Sequence, residues 1–85
     1  MKVRFTDVAE HEIAEAFQWY ESRSVGLGQR FLDDLVTARD LISEHPNAWR
    51  WLGEGVRRVR LRRFPYGLVY VVADDEILVV GLGHL

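Results

Sequence analysis

Apolar and polar residues change their period along the chain. Val3 and Phe5 alternate with charged neighbours, which predicts a short strand over Lys2–Phe5. From Asp7 the spacing becomes helical. Ala9, Ile13, Ala16, Phe17 and Tyr20 recur on one side, and Glu12, Glu15 and Gln18 fall opposite. This predicts an amphipathic helix of about four turns ending near Arg23. Asp7 reads as its N-cap, with Glu10 at the matching position of a capping box. Gly26 and Gly28 interrupt the pattern, and Gly26 suits a left-handed backbone after a helix end. Leu27, Phe31, Leu35, Ala38 and Ile42 then share one face of a second helix. It stops at His45-Pro46, because the residue before a proline is pushed out of the helical region. The short connection makes the two helices an antiparallel hairpin.

After Pro46 the helical period is gone. Residues 46–55, with Trp49, Trp51, Gly53 and Gly55, read as a loop. The period then becomes two. Over Val56–Phe64, Val59 and Leu61 take one face, while Arg58, Arg60 and Arg62 take the other. Phe64-Pro65-Tyr66-Gly67 reads as a turn, Leu68–Ala73 as a strand, Asp74-Asp75 as a hairpin turn and Ile77–Leu82 as the last strand. The expected fold is therefore α+β in the order β-α-α-β-β-β. The helical hairpin covers one face of a small antiparallel sheet. The other face stays bare and carries the arginines. Residues 1–85 make a single domain, since half this length rarely folds alone.

Composition narrows the classes. The chain has no cysteine, which excludes disulfides, thiolate zinc sites and cysteine nucleophiles. No apolar run is long enough for a membrane span, and the start does not read as a signal peptide, so a cytoplasmic location is expected. The net charge of −2 conceals a division. Residues 1–45 carry five basic and nine acidic side chains, and residues 46–85 carry six basic and four acidic ones. Asp33-Asp34, Asp74-Asp75-Glu76 and the glutamates of the first helix read as solvated faces and turns.

Arg58, Arg60 and Arg62 would project from one strand face about 7 Å apart. Guanidinium forks bind phosphates in two-point fashion, so this face is a candidate for an anion: RNA, or an acidic antagonist. Trp19 lies off the apolar stripe of the first helix, and Leu32 and Val36 lie off that of the second. These three are candidates for a partner interface. Trp51 is expected to be buried as its loop folds over the sheet edge. His11 and His45 have no second ligand at a spacing that holds a metal, so neither a metal nor a cofactor is expected.

The ordered set of local motifs resembles the RelE/ParE toxins of type II toxin–antitoxin systems. It comprises Ala14–Glu21, Gly28-Gln29-Arg30-Phe31, Ile42–Pro46, Gly55–Arg58, Arg63–Tyr70 and Val80–His84. The resemblance implies the same β-α-α-β-β-β fold and a cognate antitoxin, held in a hetero-oligomeric complex, whose acidic tail is expected to bind the Arg58, Arg60 and Arg62 face. Gly28-Gln29-Arg30-Phe31 and Phe64-Pro65-Tyr66 are closer to the ParE branch, which implies plasmid stabilisation through inhibition of DNA gyrase. The RelE branch implies instead a metal-independent endonuclease acting on mRNA in the ribosome. Under that alternative His84 is the general acid or base, Arg60 stabilises the phosphorane oxyanion, and Glu54 supplies the second proton-transfer group. Lys2 is the only lysine, so a lysine-based catalytic set is absent. An inactive homologue acting only by binding is the third alternative. The resemblance also implies a basic segment after His84, which this sequence does not carry.

Overall fold

A computed structural model describes residues 1–85. The elements are β1 (Lys2–Phe5), α1 (Asp7–Arg23), α2 (Leu27–Glu44), β2 (Arg50–Gly53), β3 (Val56–Arg60), β4 (Tyr66–Ala73) and β5 (Glu76–His84). The two helices pack on one face of a five-stranded sheet in the order β1-β5-β4-β3-β2. The α+β class and the helical hairpin are as the sequence predicts.

Three features differ. The sheet is mixed, because β1 pairs parallel to β5 (Val3 with Ile77, Phe5 with Val79). The helical hairpin carries the chain from β1 across the sheet to β2 at the far edge, and β2, β3 and β4 then bring it back to β5 beside β1. Residues 46–55 are not wholly a loop, since Arg50–Gly53 forms an edge strand antiparallel to β3. Gly53, Glu54 and Gly55 all take positive φ and make the tight turn between them. Finally, β3 ends at Arg60 rather than Phe64.

The cause of that early end is a buried carboxylate. Asp34 of α2 is only 9% exposed. Its Oδ1 accepts from the Arg62 amide at 3.1 Å and its Oδ2 from the Arg63 amide at 2.8 Å. The backbone of 61–65 therefore turns toward α2. The Leu61 amide then donates to the Tyr66 carbonyl at 2.9 Å, closing the connection to β4. Asp34 is thus a structural ligand of the backbone, not part of a solvated face. Two glutamates of α1 behave likewise. Glu21 accepts from the Gly26 and Gly28 amides, both at 2.9 Å. These belong to the free N–H groups at the start of α2, which has no side-chain cap of its own. Glu12 accepts from the Leu82 amide at 3.0 Å. The N-cap of α1 is Thr6, whose Oγ1 accepts from the Ala9 amide at 3.1 Å; Asp7 lies inside the first turn.

The core lies between the hairpin and the sheet. Phe31, Ile42, Val59, Leu68, Tyr70, Ile77 and Val79 are its largest fully buried side chains. Each contributes about 1.5–3 kcal/mol by leaving water. Tyr20, Phe31, Phe64 and Tyr66 form an aromatic cluster at one end, with Tyr20 and Phe64 ring centroids 4.8 Å apart. Tyr70 donates its hydroxyl hydrogen to the Pro46 carbonyl at 2.6 Å. Burial raises its pKa, an effect that the nearby Arg57 charge opposes.

Burial pushes the Tyr20 hydroxyl up to about 12, with the Tyr66 hydroxyl beside it as the next cause. An unfolded tyrosine titrates near 10. The folded state holds this proton more tightly, so the contribution is fully present below about pH 10. It is lost as pH rises through about 12. The urea midpoint is expected to fall across this window, and to fall less in Tyr20→Phe. Equal falls in the two proteins would remove Tyr20 from the explanation.

Candidate functional site

The bare face of the sheet is built by strand alternation. Arg50 pairs with Arg58 across β2 and β3, Arg58 pairs with Val69, and Val69 with Gly81. Cross-strand partners share a face, so Arg50 and Arg58 stand side by side away from the helices. Arg60 pairs with Gly67 and follows on the same face. The stem of Arg58 lies flat over Gly67. A Cβ built there would meet Arg58 Cγ and Cδ at 2.7 Å. This close approach half-buries Arg58 and leaves its Nε hydrogen without a partner.

Arg62 is not on this strand. It reaches the same groove from the turn that Asp34 holds. The groove, about 410 Å³, lies beyond the end of β2 and is lined by Arg50, Arg58, Arg60 and Arg62 together with Trp49 and Leu41. Thus Arg58, Arg60 and Arg62 do converge, and Arg50 joins them. Sequence reasoning missed Arg50 because residues 46–55 read as a loop. It also missed Asp34, although an Asp three residues after Phe31 and just before Leu35 on the buried stripe was the available signal.

Arg57 faces the other way. Its guanidinium donates to the Trp49 carbonyl at 2.9 Å. Trp49 is itself half-buried, and its Nε1 hydrogen is donated to the Leu41 carbonyl at 3.2 Å. Trp51, expected to be buried, is instead 61% exposed. It lies on β2, the edge strand, paired with Arg57 of β3, and no further strand covers it.

His84 and Glu54 are far apart. His84 pairs with Tyr66 at one end of β4, and its ring meets that of Tyr66 edge-on with centroids 5.1 Å apart. Its Nδ1 lies 3.0 Å from the Leu85 backbone oxygen. Glu54 occupies the β2–β3 turn, next to the Val56–Val71 pair. Tyr66 and Val71 are separated along β4 by about 17 Å at ~3.4 Å per residue. Strand alternation also sets the faces. Arg60 shares the Gly67–Gly83 row on the bare face, while His84 lies with Tyr66 on the helix side. The structure does not bring His84, Arg60 and Glu54 into one constellation.

Two further surfaces lie on the helices. Phe5, Ile13, Phe17, Leu32 and Leu35 line an apolar groove of about 440 Å³ between α1 and α2. Leu32 is in its wall and Val36, 40% exposed, follows one turn later. Trp19 lies on the opposite flank of α1, in a groove with Glu12, Glu15 and Tyr66. Arg23 stacks on its ring with Cζ 4.5 Å from the centroid. Trp19 therefore does not share a surface with Leu32 and Val36. His11 does have an i+4 partner, Glu15 at 3.1 Å, but no group of three His, Asp or Glu side chains converges. No helix is long and apolar enough to cross a membrane.

Residues 3–84 match the family described as the ParE toxin of type II toxin-antitoxin system, parDE. Among solved structures, the chain is similar to one titled "Chromosomal ParDE TA system from P. aeruginosa". That match has a TM-score of 0.85 and 21% sequence identity, covering 100% of this chain and 96% of that chain. At this identity the likeness shows a shared fold. No curated protein matches.

Proposed function

Because the chain belongs to the ParE toxin family of type II toxin–antitoxin systems, we propose that it arrests growth in the cytoplasm by binding DNA gyrase and is neutralised by a cognate antitoxin. The observation that carries this reading is the family match over nearly the whole chain. The separation of His84 from Glu54, at opposite ends of β4, favours action by binding over metal-independent RNA cleavage. A phosphodiester transfer needs both proton-transfer groups within reach of one scissile bond.

In this reading the antitoxin seats an apolar segment in the groove between α1 and α2, against Leu32 and Leu35 with Val36 at the rim. An exposed apolar groove on so small a domain is costly alone and is stabilised by a partner. The bound state is then a hetero-oligomer. Trp19 offers a second, separate contact on the far flank of α1.

Induction of the protein alone in bacteria tests the reading. Loss of negative supercoiling with double-strand breaks is the expected result. Codon-positioned mRNA cuts seen by primer extension, with supercoiling intact, would move the chain to the nuclease alternative. Normal growth at high expression of folded protein would sink both.

A further inference from the structure

The arginine groove has charges that nothing in the chain balances. Arg50, Arg58, Arg60 and Arg62 line it, and none makes an ion pair; the three pairs in the structure involve Arg4, His11 and Arg39. Arg50 stands directly opposite Arg58, an arrangement of like charges that destabilises a sheet. The Arg58 Nε hydrogen is buried without an acceptor. Arg62 also borders a second polar cavity of about 230 Å³, shared with Arg30 and Arg63. The carboxylates there are already engaged. Asp34 holds the Arg62 and Arg63 amides, and Asp33 accepts from Gln29 at 2.9 Å. Those donors are uncharged, so Asp33 and Asp34 still offset two of the three charges there, and the cationic strip is the groove lined by Arg50, Arg58, Arg60 and Arg62.

We infer that this strip binds the phosphodiester backbone of a single-stranded nucleic acid, with a base against the Trp49 ring. The basic groups are all guanidiniums, which grip phosphate oxygens at two points. Arg58 and Arg60 recur about 7 Å apart, a repeat comparable to that of phosphates along an extended strand. Trp49 lies in the same groove, held by its hydrogen bond to Leu41. Guanidiniums beside an aromatic wall are the means by which single strands are bound without sequence preference. A bound backbone would relieve the repulsion between Arg50 and Arg58. The inference concerns a ligand of the isolated chain and does not depend on gyrase.

The test is fluorescence anisotropy of a labelled oligothymidylate of about 20 nucleotides with the purified full chain, across salt concentrations. Neutralising four phosphates gives a slope of log K against log salt of about −2.8, at ~0.7 per single-strand phosphate. Arg50→Gln/Arg60→Gln/Arg62→Gln removes three exposed charges and is expected to leave a slope of about −0.7, with affinity at low salt reduced about 100-fold. Arg4→Gln/Arg23→Gln/Arg39→Gln removes the same charge elsewhere and is expected to keep the slope. Circular dichroism checks that both variants are folded. Equal losses in the two variants would overturn the inference, since net charge alone would explain binding. So would binding of a poly-glutamate peptide but not of the oligonucleotide, which would assign the strip to an acidic protein segment.

Discussion

Asp34→Ala is expected to lower the unfolding free energy by about 3–5 kcal/mol. Two backbone N–H groups, those of Arg62 and Arg63, donate to its carboxylate at 3.1 and 2.8 Å. A hydrogen bond to a charged group contributes about 1.5–3 kcal/mol, and alanine removes both. The site is nearly closed to solvent, so water is a poor replacement for the lost acceptor. A domain of this size has a total stability of roughly 4–13 kcal/mol, so the variant approaches the unfolding threshold. Asp34→Asn keeps one acceptor oxygen and should lose about half as much. Urea denaturation followed by circular dichroism measures both. A cost below about 1 kcal/mol for Asp34→Ala would show that the 61–65 turn holds itself. The same substitution releases Arg62 and Arg63, so it should weaken anion binding even though Asp34 touches no anion itself.

The second large effect is expected at Gly28, the second residue of α2, just after the turn that joins the helices. A Cβ there would lie 2.7 and 2.8 Å from the Phe17 ring edge and 2.9 Å from the Glu21 carboxylate. Two effects compete in Gly28→Ala. Alanine is the better helix former by about 1 kcal/mol, and it also restrains the unfolded chain. Against this, the added methyl pushes out the carboxylate that satisfies the Gly26 and Gly28 amides, and it displaces Phe17 from its packing. Overpacking costs about 1–3 kcal/mol, and the lost hydrogen bonds add to that. Destabilisation should win by about 1–2 kcal/mol, seen as a fall in Tm of roughly 5–15 °C. A double-mutant cycle with Glu21→Ala separates the causes. If the carboxylate is the main obstacle, the alanine at 28 should cost much less in that background. A rise in Tm for the single variant would mean that Phe17 moves aside freely and that helix propensity decides.

Both effects arise from carboxylates that a sequence reading assigns to solvent. Glu12, Glu21 and Asp34 all bind backbone amides of another element or turn. Nothing in local sequence distinguishes them from Glu15 or Asp33, which remain on exposed faces. Only the position of Asp34 on the buried stripe of α2, between Phe31 and Leu35, could have marked it. The arginine surface was partly legible. Alternation along Val56–Arg60 placed Arg58 and Arg60 on the bare face, because pleating makes that a local property. The addition of Arg50 came from an edge strand whose short run, between two tryptophans and two glycines, carries no readable period.

The sequence by itself determined which stretches are helical, where the hairpin turns, which apolar faces of the helices enter the core and that one sheet face carries arginine. These follow from periodicity and from Gly and Pro positions, which act over a few residues and need no knowledge of neighbours. The tertiary structure alone decided the parallel docking of β1 on β5, the pairing of Arg50 with Arg58, the placement of Arg62 by Asp34 and the distance between His84 and Glu54. Each depends on the register between segments far apart in the chain. Register is set by the packing of the whole core, because a slip of one residue would turn every buried side chain to the opposite face.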